Sequence, residues 1–332
     1  MITKVLITRK IFDEVRTILK KFFEVEENPN DVPFSGDVLI QKLKDKIGAI
    51  IRLTDRIDDN ILSQCGALKI LSNIAVGYDN IDIEACTRRG IMVTNTPGVL
   101  DDTTADFTWA LMLATARRIV EADQYLRSNK WNGWELMDFL GYDVHHKTIG
   151  ICGLGRIGQG VARRAKGFSM RILYTDVVRA SSAEKELEAH YVDKKTLMAE
   201  SDFITLHVPL NPQTIHYISD AEFSLMKPTA ILINASRGPV INEKALVQAL
   251  QEKKIAGAGL DVYEKEPQVE PALLQMKNVM MAPHIASASR DTRLRMATMA
   301  AENLIAGLTG KRPTNLVNEK ILTKFGNNSN NY

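Results

Sequence analysis

Three glycines near the middle of the chain have the spacing of a turn that binds phosphate groups. Gly153, Gly155 and Gly158 form the pattern G-x-G-x-x-G. The apolar run Thr148–Cys152 before them predicts a strand, and the periodicity of Gln159–Phe168 predicts a helix after them. In such a unit the first glycine permits a tight turn, the second lets the backbone approach a pyrophosphate, and the third permits close helix–strand packing. Since a helix N-terminus also attracts anions, the sequence predicts a dinucleotide site at this turn.

The acidic residue after the next predicted strand indicates which dinucleotide binds. Asp176 follows the strand Arg171–Thr175. Dinucleotide sites place a ribose-binding carboxylate roughly 20 residues beyond the third glycine, and Asp176 lies close to that distance from Gly158. A carboxylate accepts a hydrogen bond from a ribose 2′-hydroxyl but repels a 2′-phosphate, so the sequence favours NAD over NADP. Arg179 weakens this preference because a guanidinium attracts phosphate, and NADP therefore stays possible.

Two further residues follow predicted strands and could carry a reaction. Arg237 comes after the run Ala230–Asn234, at the carboxyl end of a strand, where α/β sheets bind ligands. Its planar guanidinium can bind a carboxylate through two hydrogen bonds, although an Arg before Gly is more commonly a surface turn residue. His284 comes after the run Val279–Ala282, and imidazole is the side chain best able to exchange a proton near neutral pH.

The chain also contains alternatives to these residues. His207 is the other histidine at a predicted strand end, and we interpret it as structural. A carboxylate beside His284 would favour the imidazolium and hold one tautomer, and the nearby loop offers both Glu264 and Glu266. Local chemistry does not choose between these two. The remaining histidines have polar surroundings and are interpreted as surface residues: His145, His146, His190 and His216.

Composition excludes several classes of protein. A chain of 332 residues with 45% hydrophobic and 25% charged residues is typical of a globular protein with two domains. A net charge of +2 gives no reason to expect nucleic acid, and no apolar run approaches the roughly 18 residues of a membrane span. The first residues are too quickly polar for a signal peptide, so we expect a cytoplasmic protein. Cys65, Cys86 and Cys152 suit a reducing compartment and lack the spacing of metal ligands, so we expect no metal.

Short apolar runs alternate with helical patterns along the whole chain, which predicts parallel sheets covered by helices. The first hundred residues contain five predicted strands: Val5–Thr8, Phe23–Val25, Ala49–Ile51, Ile70–Asn73 and Met92–Thr94. The later part of the chain contains two predicted strands besides the four named above: Phe203–His207 and Gly257–Val262. The other predicted helices are Ile11–Lys21, Val38–Lys46, a long helix from about Thr104 to Ser128, and Asp291–Leu308. The cap-type residues expected before the long helix are Asp101, Asp102 and Thr103.

We predict two α/β domains, each built on a parallel sheet. The dinucleotide-binding domain is expected over residues 101–284. The second domain is expected to combine residues 1–100 with residues 285–320, so that the chain crosses between domains twice. Residues 321–332 are low in complexity and are expected to be disordered. A cleft between the domains is the natural place for a substrate.

Several blocks of the sequence resemble the D-isomer-specific 2-hydroxyacid dehydrogenase family, and the resemblance extends over nearly the whole chain. The glyoxylate and hydroxypyruvate reductase branch is the most similar. Besides the glycine turn, the blocks occur in the family's order and spacing: Val76–Asp82, Asn95–Gly98, Asn234–Gly238, Gly259–Pro267 and Ala282–Ser287.

This resemblance implies two Rossmann- or flavodoxin-like domains with the active site in the interdomain cleft, and a homodimer built on the long helix. The implied reaction is the NAD(P)H-dependent reduction of small 2-oxo acids, such as glyoxylate and hydroxypyruvate, to D-2-hydroxy acids. Arg237, Glu266 and His284 match the family's catalytic positions, with His284 as the general acid. The resemblance therefore selects Glu266 over Glu264.

The resemblance also implies binding positions. Backbone N–H groups at two of the substrate positions would hold the substrate carboxylate, namely Val76 and Gly77. The implied substrate contacts are Leu53, Val76, Gly77, Arg237 and Ser287. The implied cofactor contacts are Thr104, Gly153, Leu154, Gly155, Arg156, Ile157, Gly158, Asp176, Val177, Val178, His207, Val208, Pro209, Thr214, Asn234, Ala235, Ser236, Arg237, Asp261 and His284.

Some substrates and functions are less compatible with the sequence. Val76 stands where phosphite dehydrogenases carry Lys, and Pro283 stands where formate dehydrogenases carry Gln. The short segment after the last helix argues against a phosphoglycerate dehydrogenase-like activity without excluding it. Reduction of 2-ketogluconate is a further open alternative. Some relatives are NAD-sensing corepressors, and the intact catalytic trio argues against that class. Trp131 and Trp134 either close a neighbouring subunit's pocket or pack at a dimer interface.

Overall fold

The computed structural model describes residues 3–322. The chain forms two compact units: the terminal unit comprises the residues up to Leu100 and those from Ser289 onward, and the middle unit comprises Asp101–Ala288. Within residues 3–322, no helix is both long and apolar enough to cross a membrane. Most of the expected disordered tail lies outside the described residues, but Ile321, which was expected to belong to it, is buried.

The terminal unit is built on a five-stranded parallel sheet in the order β2-β1-β3-β4-β5. Its strands are β1 (Lys4–Ile7), β2 (Glu24–Glu27), β3 (Gly48–Ile51), β4 (Ile70–Asn73) and β5 (Met92–Thr94). The helices between them are α1 (Asp13–Lys20), α2 (Gly36–Leu43), α3 (Asp59–Ser63) and α4 (Ile83–Arg88). Strands β3 and β4 are buried along their whole length, as expected for parallel strands that are covered on both faces.

A C-terminal helix, Arg290–Leu308, completes the terminal unit. The side chain of Ser289 caps it by accepting a hydrogen bond from the backbone N–H of Thr292. Leu304 is fully buried in one cluster with side chains of β1, β3 and β4, and the hydroxyl of Ser72 donates to the carbonyl of Ala300 over 2.8 Å. Because the sheet and the helix bury their apolar faces against each other, the two ends of the chain form one unit.

The middle unit is built on a seven-stranded parallel sheet in the order β12-β11-β10-β9-β6-β7-β8. Its strands are β6 (Thr148–Cys152), β7 (Arg171–Thr175), β8 (Ala189–Tyr191), β9 (Phe203–Leu206), β10 (Ile231–Asn234), β11 (Gly257–Leu260) and β12 (Val279–Met281). Its helices are α5 (Asp101–Ala116), α6 (Ile119–Arg127), α7 (Arg156–Gly167), α8 (Ser181–Leu187), α9 (Lys194–Glu200), α10 (Asp220–Phe223) and α11 (Glu243–Gln251). The strand order reverses between β6 and β9, which is where open α/β sheets bind ligands.

The predicted fold class, with two α/β units on parallel sheets, is confirmed. Strands β4 to β7 coincide with the predicted ones, and the other predicted strands differ by no more than two residues at either end. Strand β8 was not predicted. Two of its three residues, His190 and Tyr191, are exposed, so the strand leaves no apolar run in the sequence.

The single long helix predicted over about Thr104–Ser128 is wrong, because the structure has two helices, α5 and α6. Arg118 adopts a left-handed backbone with φ of 54° at the break. The N–H of Tyr142 donates to the carbonyl of Ala116 over 2.9 Å and so satisfies an acceptor at the end of α5. Asp101, Asp102 and Thr103 form the first turn of α5 rather than preceding it, and the helix dipole favours the two carboxylates there.

The second crossing between the units was predicted too early. It lies between Ala288 and Ser289 instead of directly after His284. The carboxylate of Asp261 accepts hydrogen bonds from the N–H groups of Ile285 and Ala286, which keeps this segment in the middle unit. Helix α7 likewise begins at Arg156, inside the glycine pattern, and not at Gln159 as predicted.

Replacing Leu304 tests how strongly the C-terminal helix stabilises the terminal unit. We expect Leu304→Ala to lower the free energy of unfolding by about 2 to 5 kcal/mol, because it removes a fully buried side chain from a packed core. The exposed neighbour Glu302 provides the control, since Glu302→Ala is expected to change that free energy by no more than about 0.5 kcal/mol. Denaturant unfolding measures both, and equal losses in the two variants would contradict the packing described here.

Candidate active site

Three side chains from neighbouring strands meet at one edge of the middle sheet. Arg237 lies just after β10, Glu266 lies in the loop after β11, and His284 lies just after β12. These strands are adjacent and parallel, so their carboxyl ends share one edge. The sequence-predicted catalytic residues are therefore brought to one place within a single unit.

The imidazole of His284 is held by the carboxylate of Glu266. The Nδ1 atom of His284 lies 2.8 Å from Oε2 of Glu266, and the two side chains are 25% and 30% exposed. An ionised carboxylate can only accept a hydrogen bond, so Nδ1 carries the proton and Nε2 is the atom that can exchange one with a ligand. The partial exposure leaves the ring accessible while limiting its contact with water.

The pKa of Glu266 is lowered from its ordinary value. Burial acts to raise this pKa, but the hydrogen bond and charge of His284, the N–H of Tyr263 and the charge of Arg237 together outweigh it. Glu266 is therefore ionised near neutral pH, and its carboxylate can hold the imidazole of His284 through Nδ1.

The loop that carries Glu266 is fixed by Tyr263. The N–H of Tyr263 donates to Oε1 of Glu266 over 3.1 Å, and the Tyr263 hydroxyl donates to the carbonyl of Ala282 over 2.9 Å. A Cβ on Gly238 would lie 1.8 Å from the carbonyl oxygen of Tyr263, so glycine is required for the turn that carries Arg237 to pack here. Sequence reasoning missed Tyr263, since an aromatic residue inside the block Gly259–Pro267 gives no sign of these two contacts.

Asp261 fixes the backbone of His284. His284 has a left-handed φ of 55°, which is unfavourable for a residue other than glycine. Its N–H donates to the backbone carbonyl of Asp261, and the Asp261 carboxylate accepts from the N–H groups of Ile285 and Ala286 over 2.7 and 2.8 Å. Burial raises the pKa of Asp261, while these two N–H bonds and the charge of His284 act against that rise. Asp261 was predicted as a cofactor contact, and the structure gives it this positioning contact as well.

The turn that carries Arg237 is shaped by Asn234. The Asn234 side chain donates to the carbonyl of Arg237 over 2.9 Å and accepts from both the N–H and the hydroxyl of Ser236. The guanidinium of Arg237 donates to the carbonyl of Ser236 over 2.8 Å and is partly buried. These contacts set the direction of the turn before any ligand binds.

The two alternatives in the sequence, His207 as the acid and Glu264 as the carboxylate, have other hydrogen-bond partners. Glu264 contacts Nε2 of His216 at 3.0 Å and accepts from the N–H of Glu243, so its carboxylate is committed to a different part of the loop. His207 lies 2.7 Å from the hydroxyl of Thr205, and burial lowers its pKa to about 3. A histidine that stays neutral at neutral pH is a poor proton donor. His145, His146, His190 and His216 are exposed.

The glycine turn has the shape that a pyrophosphate requires. Gly153 has a φ of 94°, and a Cβ there would lie 2.8 Å from the carbonyl oxygen of His207. A Cβ on Gly158 would lie 2.1 Å from the carbonyl oxygen of Gly153. A Cβ on Gly155, in contrast, would have no atom of the described residues within 4 Å. The first and third glycines are thus explained by packing, and the second leaves open space at the N-terminus of α7 that suits a phosphate group.

Asp176 is held against this turn. Its carboxylate accepts hydrogen bonds of 2.7 Å from the N–H groups of Leu154 and Val177. Leu154 is buried, whereas Val177 and Val178 are fully and largely exposed. The carboxylate therefore lies beside the glycine turn, as the predicted ribose contact requires.

Hydrogen bonds within the protein do not bring all of the remaining predicted cofactor positions together. The hydroxyl of Thr214 donates to the carbonyl of Pro209 over 2.6 Å, which closes the loop after β9. Thr104 is buried in α5, where its carbonyl accepts from the hydroxyl of Thr108. The partly or largely exposed positions of this group are Arg156, Ile157, Val208, Pro209, Thr214, Ala235 and Ser236.

The predicted substrate positions of the terminal unit lie on two turns. The carbonyl of Val76 accepts from the side chain of Asn95 over 2.8 Å, and the carbonyl of Gly77 accepts from the side chain of Asn73 over 3.1 Å. The first bond fixes the peptide unit that carries the N–H of Gly77, and the second fixes the next unit along the chain. Leu53 is partly exposed after β3, and Ser287 is partly exposed in the middle unit. Among residues 3–322, no group of three or more His, Cys, Asp or Glu side chains could hold a metal ion.

Comparison with known proteins agrees with these features. The family model described as "D-isomer specific 2-hydroxyacid dehydrogenase, NAD binding domain" matches residues 109–286. A glyoxylate reductase of Thermococcus litoralis is 51% identical over 96% of this chain and 98% of its own. The solved structure of a glyoxylate reductase from Paecilomyes thermophila has a TM-score of 0.86 and 32% identity, covering 96% of this chain and 99% of that one. An NADPH-dependent glyoxylate/hydroxypyruvate reductase from Sinorhizobium meliloti, solved with NADP and malonate, has the same TM-score and identity and covers 96% of this chain and 97% of that one.

Two glycine substitutions separate the binding role of the turn from its packing role. We expect Gly155→Ala to weaken the binding of ADP-ribose at least about tenfold, because the methyl group fills the open space at the turn. Its free energy of unfolding should change by less than about 1 kcal/mol, since alanine accepts the backbone conformation of this residue. Gly158→Ala should instead lower that free energy by about 2 kcal/mol or more, because its methyl group meets a carbonyl oxygen.

Calorimetric titration with ADP-ribose and denaturant unfolding measure the two effects. Full affinity for ADP-ribose in Gly155→Ala would contradict the assignment of the turn.

Proposed function

The chain belongs to the D-isomer-specific 2-hydroxyacid dehydrogenase family, and on that premise we propose that it reduces glyoxylate and hydroxypyruvate with NADH to the corresponding 2-hydroxy acids, with the D configuration where the product is chiral. It is a nicotinamide-dependent oxidoreductase that acts on small 2-oxo acids. The observation that carries the proposal is the 2.8 Å contact between His284 and Glu266, at the same sheet edge as Arg237.

Reduction of a ketone or aldehyde needs a hydride for the carbon and a proton for the oxygen. The bound dinucleotide supplies the hydride. In our proposal Nε2 of His284 donates the proton to the carbonyl oxygen, while the ionised carboxylate of Glu266 holds the ring through Nδ1. After transfer the ring is neutral and takes up a proton from solvent.

Arg237 provides the positive charge for an acidic substrate. Its guanidinium can bind the substrate carboxylate and polarise the carbonyl that is reduced. We further propose that the N–H groups of Val76 and Gly77 bind the same carboxylate, and that Leu53 and Ser287 contact the rest of the substrate. The fixed carbonyls of Val76 and Gly77 support this proposal, because they orient the peptide units that carry or adjoin those N–H groups.

We propose NAD as the preferred cofactor. Asp176 is held beside the glycine turn by two backbone N–H groups, where its carboxylate suits a ribose 2′-hydroxyl and repels a 2′-phosphate. The Sinorhizobium meliloti enzyme is NADPH-dependent, so structural similarity does not decide the preference and the proposal depends on Asp176.

We also propose that the chain forms a homodimer through the segment after α6. This segment exposes four large apolar side chains, which are 59% to 79% accessible: Trp131, Trp134, Leu136 and Met137. All nine residues of α6 are described and none is buried. Apolar patches of this kind mark protein–protein contacts, because exposing them to water is unfavourable.

A panel of 2-oxo acids tests the reaction. We expect NADH oxidation with glyoxylate and hydroxypyruvate, and a higher kcat/KM with NADH than with NADPH because of Asp176. Absorbance at the reduced-nicotinamide band measures both, with 2-ketogluconate and 3-phosphohydroxypyruvate as further substrates. If none of these acids is reduced with either cofactor, the proposed function is wrong.

Removing the imidazole tests the proton donor. We expect His284→Ala to lower kcat about 10²- to 10⁴-fold, the usual contribution of a general acid, with little change in ADP-ribose affinity. His216→Ala is the control, because His216 is exposed and contacts Glu264 rather than Glu266. Steady-state kinetics and calorimetry measure the two effects, and near-normal turnover in His284→Ala would require another acid.

A further inference from the structure

The loop between strand β7 and helix α8 carries a cation whose position bears on cofactor choice. Arg179 is close in sequence to Asp176, and a guanidinium near that carboxylate could bind a 2′-phosphate. In the structure its guanidinium is already paired. Nε lies 2.7 Å from Oε1 of Glu184, and Nη2 lies 3.0 Å from Oε2, so the two groups form a two-point ion pair.

Glu184 is itself held in place. The hydroxyl of Tyr174, a fully buried residue of β7, donates to Oε1 of Glu184 over 2.5 Å and accepts from the N–H of Ala180 over 3.0 Å. The Glu184 side chain is 15% exposed. Hydrogen bonds from Arg179 and Tyr174 lower the pKa of Glu184, which keeps it charged near neutral pH.

A second contact holds the guanidinium of the ion pair. The guanidinium of Arg179 lies over the ring of Tyr191, 5.7 Å from its centroid, and that ring packs edge-on against Tyr174. Arg179 is thus held between helix α8 and strand β8. A pair anchored at both ends is more persistent than an isolated surface ion pair, which contributes little.

We propose that Glu184 is a cofactor-selectivity residue, which keeps Arg179 in an ion pair and so withholds the cation nearest to Asp176 in sequence from a 2′-phosphate. Asp176 then acts on the ribose without an opposing positive charge. This inference rests on the proposed NADH preference and assigns part of it to a residue outside the glycine turn. A purely structural Glu184 would stabilise α8 without changing the discrimination between the two cofactors.

The test measures binding of two probes that lack the nicotinamide, ADP-ribose and 2′-phospho-ADP-ribose, by calorimetry at low salt. We expect Glu184→Gln to tighten the binding of 2′-phospho-ADP-ribose about fivefold, because the amide cannot hold the guanidinium as a carboxylate does. The affinity for ADP-ribose should change less than about twofold. The gain should shrink as salt is added, because it comes from an exposed charge.

Three variants separate this effect from others. Glu186→Gln removes the same charge from an exposed position of the same helix and should change neither affinity. Arg179→Gln alone should leave the affinity for 2′-phospho-ADP-ribose unchanged within about twofold, because Arg179 is already paired. The double variant Arg179→Gln with Glu184→Gln should lose the gain.

The outcomes are decisive in both directions. An unchanged ratio of the two affinities in Glu184→Gln, an equal gain in Glu186→Gln, or a gain that survives in the double variant would each overturn the proposal. If Glu184→Gln does not fold, Arg179→Gln still decides, since a tenfold loss of 2′-phospho-ADP-ribose affinity would show that the paired arginine already serves a phosphate. Failure of the wild-type chain to bind ADP-ribose at all would instead contradict the proposed function.

Discussion

The contact between His284 and Glu266 depends on two loops being held at a fixed separation, and much of the middle unit serves to hold them. Tyr263 links the loop after β11 to the end of β12, and hydrogen bonds to Asp261 hold the left-handed backbone at His284. The parallel sheet then brings Arg237 to the same edge. A site assembled in this way exists before a ligand arrives, so little reorganisation is needed when charge develops in a reaction.

Much of the fold could be predicted from apolar runs, because parallel strands that are buried on both faces leave continuous apolar segments in the sequence. Strand β8 left no such segment, since only Ala189 of its three residues is buried. The break between α5 and α6 could not be predicted either, because it depends on the distant N–H of Tyr142 and on the left-handed backbone of Arg118. Both exceptions arise from tertiary contacts rather than from local propensity.

The site was predictable to a different extent. The spacing of the glycines and Asp176 could be interpreted directly, since Gly153 and Gly158 pack against backbone and Gly155 leaves open space at the turn. The choice of Glu266 over Glu264 came from family resemblance, because the two carboxylates are equivalent in the local sequence. In the folded chain they are separated, with Glu264 committed to His216. The substrate roles of Val76 and Gly77 stay predictions.

The pH dependence of turnover in Glu266→Gln tests most directly whether the reaction needs the charged carboxylate that holds His284. The pKa of Glu266 is lowered below its ordinary value of 4.5, so its effect is present above that pH and is lost as the pH falls through the lowered value. The rate of the wild-type chain should therefore fall at low pH as Glu266 takes up a proton, whereas Glu266→Gln should be slower above that pH and should lack this fall, and Glu264→Gln should leave the profile unchanged. A profile of Glu266→Gln that coincides with that of the wild-type chain would contradict the role assigned to the pair.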